Sequence, residues 1–148
     1  MLFVSLAYIL KYTKYMDDMQ ELRTKRHVVY SLHLHLVFVT KYRKKVFTDK
    51  MYKRLYFHFS RVCNDFGCKL VEINGEKDHV HLLVEPLPHT TPSRLVNSLK
   101  GVSSRFLRQE FPELEQYYWK GGLWSPSYFI ASCGGTPLDS VKQYIENQ

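Results

Sequence analysis

Two pairs of histidines have a spacing that suits a metal site. His79 and His81 are separated by one residue, and His33 and His35 have the same separation. On a strand, side chains two positions apart point to the same face with their Cα atoms roughly 6.5 to 7 Å apart, so either pair could bind one divalent ion. Each pair also fits histidines that only pack or face solvent, and the spacing does not choose between the two pairs.

The last residues of the sequence offer a further ligand and a nucleophile. Gln148 follows Tyr144 by four positions, so the two side chains share a face if this segment is helical. An amide oxygen is a suitable hard ligand for Mg²⁺ or Mn²⁺, and a tyrosine hydroxyl one turn away could attack a phosphate bound to the same ion. The chain has eleven tyrosines, so the pair also fits an ordinary helix tyrosine.

Strand and helix patterns alternate in the first half of the chain. Residues 26–40 are rich in β-branched and aromatic side chains without Gly or Pro, which predicts one long strand. Thr48 can then cap a helix that ends at Gly67. Its apolar stripe consists of Met51, Leu55, Phe59, Val62 and Phe66. Residues 69–73 and 79–85 flank Asn74-Gly75, which predicts two antiparallel strands joined by a short connection.

The second half continues with a helix, a strand and a short helix. Thr91 and Pro92 predict a helix start, and the helix should run to about Phe111, before Pro112. Residues 127–132 suit another strand. The segment beginning Thr136-Pro137 has the cap and first-turn residues of a last helix that would carry Tyr144. The predicted order is strand, helix, strand, strand, helix, strand, helix.

This order predicts an α+β fold in which two helices cover one face of a four-stranded antiparallel sheet, as in ferredoxin-like or RNA-recognition-motif folds. A C-terminal helix would be added to it. We expect residues 1–25 to be an extension outside the core and residues 26–148 to form one domain. The apolar first ten residues are too short to span a bilayer, and Met16 or Met19 could be the true start. We therefore expect no membrane association.

The charge balance predicts an anionic partner. The 148 residues include 21 Lys and Arg against 14 Asp and Glu, a formal net charge of +7. Charge alone does not name the partner, but six basic residues are candidates for contacts with it: Lys41, Arg43, Lys44, Lys45, Lys100 and Arg105. Three cysteines without a CxxC pair favour a reducing, cytoplasmic environment and exclude a four-ligand zinc site.

Five segments together resemble a known family. They read YSLHLHLVFVTKYRKKVF, DHVHLLVE, LKGVSSRFLRQEFPEL, LWSPSYFIASCGG and VKQYIENQ, and they span 30–148. In this order they resemble the single-tyrosine HUH transposases of the insertion-sequence 200/605 family, and secondly the related transposases associated with repetitive extragenic palindromes. HUH denotes two histidines around a hydrophobic residue, which is the pattern of His79, Val80 and His81.

The resemblance implies a chemistry and its residues. His79, His81 and Gln148 would bind Mg²⁺ or Mn²⁺, and no other cofactor would be needed. Tyr144 would attack the scissile phosphate and form a 5′-phosphotyrosine, which a second DNA 3′-hydroxyl could then reverse. The substrate would be single-stranded DNA with imperfect hairpins, and the six basic residues would contact its phosphates. The enzyme would be a bacterial or archaeal, nucleoid-associated homodimer whose active sites are assembled in trans.

Two other functions stay open from the residues alone. A metal-dependent phosphodiesterase could use both histidine pairs, facing each other across the sheet, without a tyrosine. A non-catalytic module could bind single-stranded nucleic acid through basic loops and aromatic side chains. Members of the resembled family generally continue beyond the segment that ends here at Gln148, so we expect a truncated copy with weakened activity.

Overall fold

The computed structural model describes residues 23–25, 27–118, 120–132 and 143–148. The strands are β1 (Arg23–Lys25), β2 (Val28–Tyr30), β3 (Leu34–Val39), β4 (Lys69–Glu76), β5 (His79–Glu85) and β6 (Phe129–Ser132). The helices are α1 (Asp49–Asp65) and α2 (Pro92–Glu110), with short 3-10 helices at Lys41–Arg43 and Pro112–Gln116. Residues 143–146 are also helical, and they include Tyr144.

Four strands form one antiparallel sheet in the order β4-β5-β3-β6. Alternate residues of β3 and β5 enter the same apolar core as α1 and α2, which places both helices on one face of the sheet. The predicted α+β fold is confirmed. The other face carries the histidines, and its central residues Val37, Val39 and Leu83 are fully buried as well.

Both long helices form where the apolar spacing predicts them. In α1 the stripe Met51, Leu55, Phe59 and Val62 is buried, and the Thr48 hydroxyl accepts a hydrogen bond from the Met51 backbone N–H at 3.3 Å. Gly67 follows the helix at a φ of +69°, as expected for a C-terminal glycine. None of the helices in the described ranges is long and apolar enough to cross a membrane.

The prediction of one continuous strand over residues 26–40 is wrong. Residues 31–33 are not in a strand, and β2 pairs instead with β1 in a separate two-stranded sheet. Of the described residues 27–40, those of β3 are the ones that pair with β5 and β6 in the main sheet. Arg23, within the predicted N-terminal extension, donates to the Glu85 carboxylate at 2.6 Å.

The connection between β4 and β5 lies later than predicted. Asn74 and Gly75 belong to β4, and the turn falls at Lys77-Asp78. Gly75 has a φ of +150°, and a Cβ there would overlap the carbonyl oxygen of His79. Glycine therefore serves the close approach of two strands here, rather than a turn. The start predicted for the last helix, at Thr136-Pro137, lies outside the described residues.

Candidate active site

His79 and His81 lie side by side at the start of β5. Their backbones are in register with Val39 and Val37 of β3, on the sheet face opposite α1 and α2. The two ring centroids are 5.0 Å apart, and the residues are 0% and 1% exposed. Val80 between them enters the apolar core. The alternation expected of a strand thus brings both imidazoles to one face.

Each imidazole has a polar neighbour that fixes its orientation. Oδ1 of the buried Asp78 is 2.9 Å from Nδ1 of His79, which donates to it, so the neutral form of His79 has Nε2 as its acceptor. This Nε2 is buried and has no hydrogen-bond partner within the described parts of the chain. Nδ1 of His81 is 3.1 Å from Nε2 of His35 on β3.

Burial keeps two histidines of this face, His35 and His81, in the neutral form. Burial lowers the pKa of His35 to about 4. Burial, with smaller contributions from His79 and His35, also holds the pKa of His81 well below the ordinary value. A neutral imidazole is the form that binds a metal ion, so His81 is in the form that a divalent cation requires at neutral pH.

Two histidines alone do not complete a metal site. Within the ranges that the structure describes, no three His, Cys, Asp or Glu side chains are arranged to hold a metal ion. A further ligand would have to be of another type, such as an amide oxygen. The four-histidine alternative is not realised, because His35 contacts His81 whereas His33 lies 3.9 Å from Glu85, at the opposite end of β5.

Tyr144 and Gln148 form a second group, held by two serines of the loop before β6. The Tyr144 hydroxyl lies 2.9 Å from Ser127 Oγ, and its ring packs on Phe129 with centroids 5.5 Å apart. Gln148 Oε1 accepts hydrogen bonds from Ser127 Oγ at 2.7 Å and Ser125 Oγ at 3.1 Å. Gln148 Nε2 donates to the Tyr144 carbonyl at 3.0 Å. We call these two serines, with Tyr144 and Gln148, the serine clasp.

The available donors determine the direction of each hydrogen bond within the serine clasp. Ser127 has one hydroxyl proton and donates it to Gln148, so the Tyr144 O–H donates to Ser127. Burial raises the pKa of Tyr144. The phenol is therefore protonated at neutral pH and must lose its proton when it acts as a nucleophile.

Arg43 and Phe129 connect the two groups. Arg43 Nε is 3.9 Å from Asp78 Oδ2, and its Nη1 donates to the Glu146 carbonyl at 3.2 Å. The Phe129 ring contacts Tyr144 on one side and His35 on the other, where the centroids are 6.4 Å apart. The histidine pair and the tyrosine segment thus meet the same sheet face, while the Gln148 amide oxygen is directed at the serine hydroxyls.

The six predicted DNA-contact residues have different surroundings. Lys44 and Lys45 are exposed after the 3-10 turn that contains Lys41 and Arg43. Arg105 is exposed, with its guanidinium 5.6 Å from the Phe106 ring centroid. Lys100 instead directs its ammonium group inward, to the carbonyl oxygens of residues 125, 126 and 127. Phosphate contact stays a prediction for all six, and Lys100 additionally supports the loop of the serine clasp.

Sequence reasoning did not find Asp78, Ser125 or Ser127 as parts of the site, and it considered His35 only in a pair with His33. Asp78 precedes the histidine pair directly, and a carboxylate beside a ligating histidine is a usable signal. Ser125 and Ser127 flank Pro126, which lies in a bend, and both hydroxyls reach the same oxygen, Oε1 of Gln148. Their contacts with residues 144 and 148, far along the chain, have no local signal.

Known proteins are similar to this chain along most of its length. The model of the IS200-like transposase family matches residues 28–148. The ISDra2 transposase TnpA of Deinococcus radiodurans is 31% identical over 128 residues, which cover 86% of this chain and 91% of that protein. The transposase of insertion sequence IS200 from Salmonella typhimurium is 26% identical over 122 residues, covering 82% of this chain and 80% of the relative.

Solved structures share the fold. A Deinococcus radiodurans R1 protein, described as a candidate transposase, superposes with a TM-score of 0.78 and 36% identity, covering 85% of this chain and 97% of that one. A REP-associated tyrosine transposase bound to a REP hairpin superposes with a TM-score of 0.52 at 10% identity, covering 84% and 68% of the two chains. At that identity the second likeness shows the fold alone.

Proposed function

The chain belongs to the family of IS200-like transposases, and from this membership we propose that it cuts and rejoins single-stranded DNA through a covalent bond to Tyr144. The observation that carries the proposal is the position of the Tyr144 hydroxyl. It lies beside a potential ligand amide, on the sheet face that holds the two buried histidines His79 and His81. A nucleophile beside a potential metal site is the arrangement that phosphoryl transfer requires.

His79, His81 and Gln148 are the residues that we propose to hold Mg²⁺ or Mn²⁺. His79 fits best, because its buried Nε2 is an acceptor and its Nδ1 is anchored on Asp78. Gln148 Oε1 already carries two hydroxyl donors, the capacity of an amide oxygen, so it must release at least one of them. When bound, such an ion polarises the phosphate oxygens.

In the proposed reaction the Tyr144 oxygen attacks phosphorus. A bond forms between this oxygen and phosphorus while the bond from phosphorus to the 3′-oxygen breaks. The phenol loses its proton, and the departing 3′-oxygen gains one, so no net proton is consumed. Ser127 accepts the phenol proton in a hydrogen bond and thereby orients the hydroxyl before attack. Attack by another 3′-hydroxyl on the 5′-phosphotyrosine reverses these changes and joins strands.

The direct test is a denaturing gel of the purified protein with labelled single-stranded DNA from its gene flanks, with Mn²⁺ or with chelator. We expect a metal-dependent covalent adduct in the wild type and none in Tyr144→Phe. Tyr128→Phe is the matched control, because Tyr128 is a half-buried tyrosine that packs against the core. An adduct that persists in Tyr144→Phe contradicts the assignment, and cleavage without any adduct favours a hydrolase.

Hairpin recognition and a homodimer with composite sites complete the proposal. The fold neighbour bound to a REP hairpin supports a hairpin substrate, and the resemblance to the family supports assembly in trans. A mixture of His79→Ala and Tyr144→Phe chains tests the assembly, since only sites that combine two chains have all the residues. Restored adduct formation in the mixture supports composite sites, and an inactive mixture of exchanging subunits contradicts them.

A further inference from the structure

Two exposed tyrosines line a cleft that the proposed reaction does not use. Tyr42 is 72% exposed and Tyr117 is 42% exposed, although neighbouring apolar residues are buried. Together with Lys41, Tyr118, Lys120 and Gly121 they enclose a cleft of about 160 Å³. The cleft therefore presents two aromatic rings to solvent, where a flat ligand could stack on them.

Tyr42 is held in a backbone conformation that L-residues rarely adopt. Its φ is +63° and its ψ is 15°, in the left-handed region, where a bulky residue is an outlier. The flanking backbone keeps it there: the Lys41 N–H donates to the Leu123 carbonyl at 2.8 Å, and the Tyr118 hydroxyl donates to the Lys41 carbonyl at 3.2 Å. Strain that surrounding contacts maintain, with the side chain directed to solvent, suggests a binding role for that side chain.

Positive charge accompanies both rings. Lys41 Nζ is 5.5 Å from the Tyr42 ring centroid, and Lys44 Nζ is 5.9 Å from that of Tyr117. An ammonium group beside an aromatic ring matches a nucleotide, whose base can stack on the ring while its phosphate meets the charge. Only unpaired nucleotides present a free base face, which favours single-stranded over double-stranded nucleic acid.

The cleft adjoins the candidate active site through the backbone. The residue after Tyr42 is Arg43, whose guanidinium reaches Asp78 and the Glu146 carbonyl. We propose that Tyr42 and Tyr117 form a stacking platform for an unpaired DNA base next to the scissile phosphate, with Lys41 and Lys44 on the flanking phosphates. This inference rests on the proposed single-stranded DNA substrate and names where one base of it binds.

Binding of two oligomers of equal charge tests the platform without any cleavage. Fluorescence anisotropy on the Tyr144→Phe chain compares an oligothymidylate with an abasic oligomer of the same length. We expect Tyr42→Ala to weaken oligothymidylate binding about tenfold, as for loss of one stacked base, and to leave abasic binding nearly unchanged. Tyr42→Trp should retain the affinity. Tyr56→Ala removes a similarly exposed tyrosine of α1 and should change neither.

The possible results separate the platform from the reaction. Equal losses for both oligomers, or no loss for either, overturn the platform, because then charge or folding alone explains the binding. The covalent adduct of the wild type reports only on the reaction. If Tyr42→Ala weakens only oligothymidylate binding and the wild type forms no adduct, the platform is supported and the proposed function is contradicted. If the wild type forms an adduct and Tyr42→Ala shows no such selective weakening, the proposed function is supported and the platform is contradicted.

Discussion

Removing the Ser127 hydroxyl should lower the metal-ion concentration that adduct formation requires. Ser127→Ala deletes the 2.7 Å hydrogen bond to Gln148 Oε1 and the 2.9 Å contact with the Tyr144 hydroxyl. The first bond occupies the oxygen that we propose as a metal ligand, so serine and metal compete for it. Without Ser127, the amide oxygen is left with one donor, Ser125, and has a lone pair available.

The size of the effect follows from the bond that is removed. A neutral hydrogen bond contributes about 1 kcal/mol net, and about 1 kcal/mol corresponds to about a fivefold change in an equilibrium constant. We therefore expect the Mn²⁺ concentration for half-maximal adduct formation to fall about fivefold in Ser127→Ala. Ser125→Ala removes only the longer 3.1 Å bond and should give a smaller shift in the same direction.

Adduct yield on denaturing gels across a Mn²⁺ titration measures this directly. Hydrogen exchange at the backbone N–H of Gln148, which donates to the Ile145 carbonyl, shows whether the C-terminal segment stays docked. A higher metal requirement in Ser127→Ala, with an unchanged exchange rate, would refute the competition and make Ser127 a group that orients Gln148 toward the metal.

Two further changes test the fold around the site. Burial alone would raise the pKa of Glu110, but hydrogen bonds from His58 and Arg54 outweigh it and lower this pKa below the ordinary 4.5. The stabilisation is therefore present above about pH 4.5 and lost as pH falls through the lowered value, and urea unfolding of Glu110→Gln should lack that loss. At Tyr42, glycine relieves the positive φ whereas valine worsens it, so thermal or urea unfolding should rank Tyr42→Gly above Tyr42→Val by about 1 to 2 kcal/mol. Equal free energies of unfolding for Tyr42→Gly and Tyr42→Val would show that the backbone at this position is not strained.

Local patterns predicted the elements because the physics behind them is local. The stripe from Met51 to Val62 needs only the helix period and an apolar core, and the common face of His79 and His81 needs only the strand period. The two errors have a different origin. The break at residues 31–33 depends on how far β5 and β6 extend, and the turn at Lys77-Asp78 depends on a close contact at Gly75.

The surroundings of the site could not be predicted for the same reason. The contact of His35 with His81 requires the register of β3 against β5, which places Leu36 opposite Leu82 and leaves the two histidines diagonal to each other. The clasp requires the loop before β6 to meet residues of the last segment. Both arise from packing between distant parts of the chain, and a single sequence carries no periodic signal for either.

Through its side chain, Arg43 joins the histidine pair to the segment that carries Tyr144. It follows the strained Tyr42, has a positive φ of 51° itself, and extends from there to Asp78 and to the backbone of Glu146. A planar guanidinium can address a carboxylate and a carbonyl with different N–H groups, which a lysine ammonium on a flexible stem does less well. The carboxylate that orients His79 and the segment that carries Tyr144 are therefore linked through one side chain. The turn that strains the backbone at Tyr42 thus also places the Arg43 guanidinium between the carboxylate beside His79 and the backbone of the tyrosine segment.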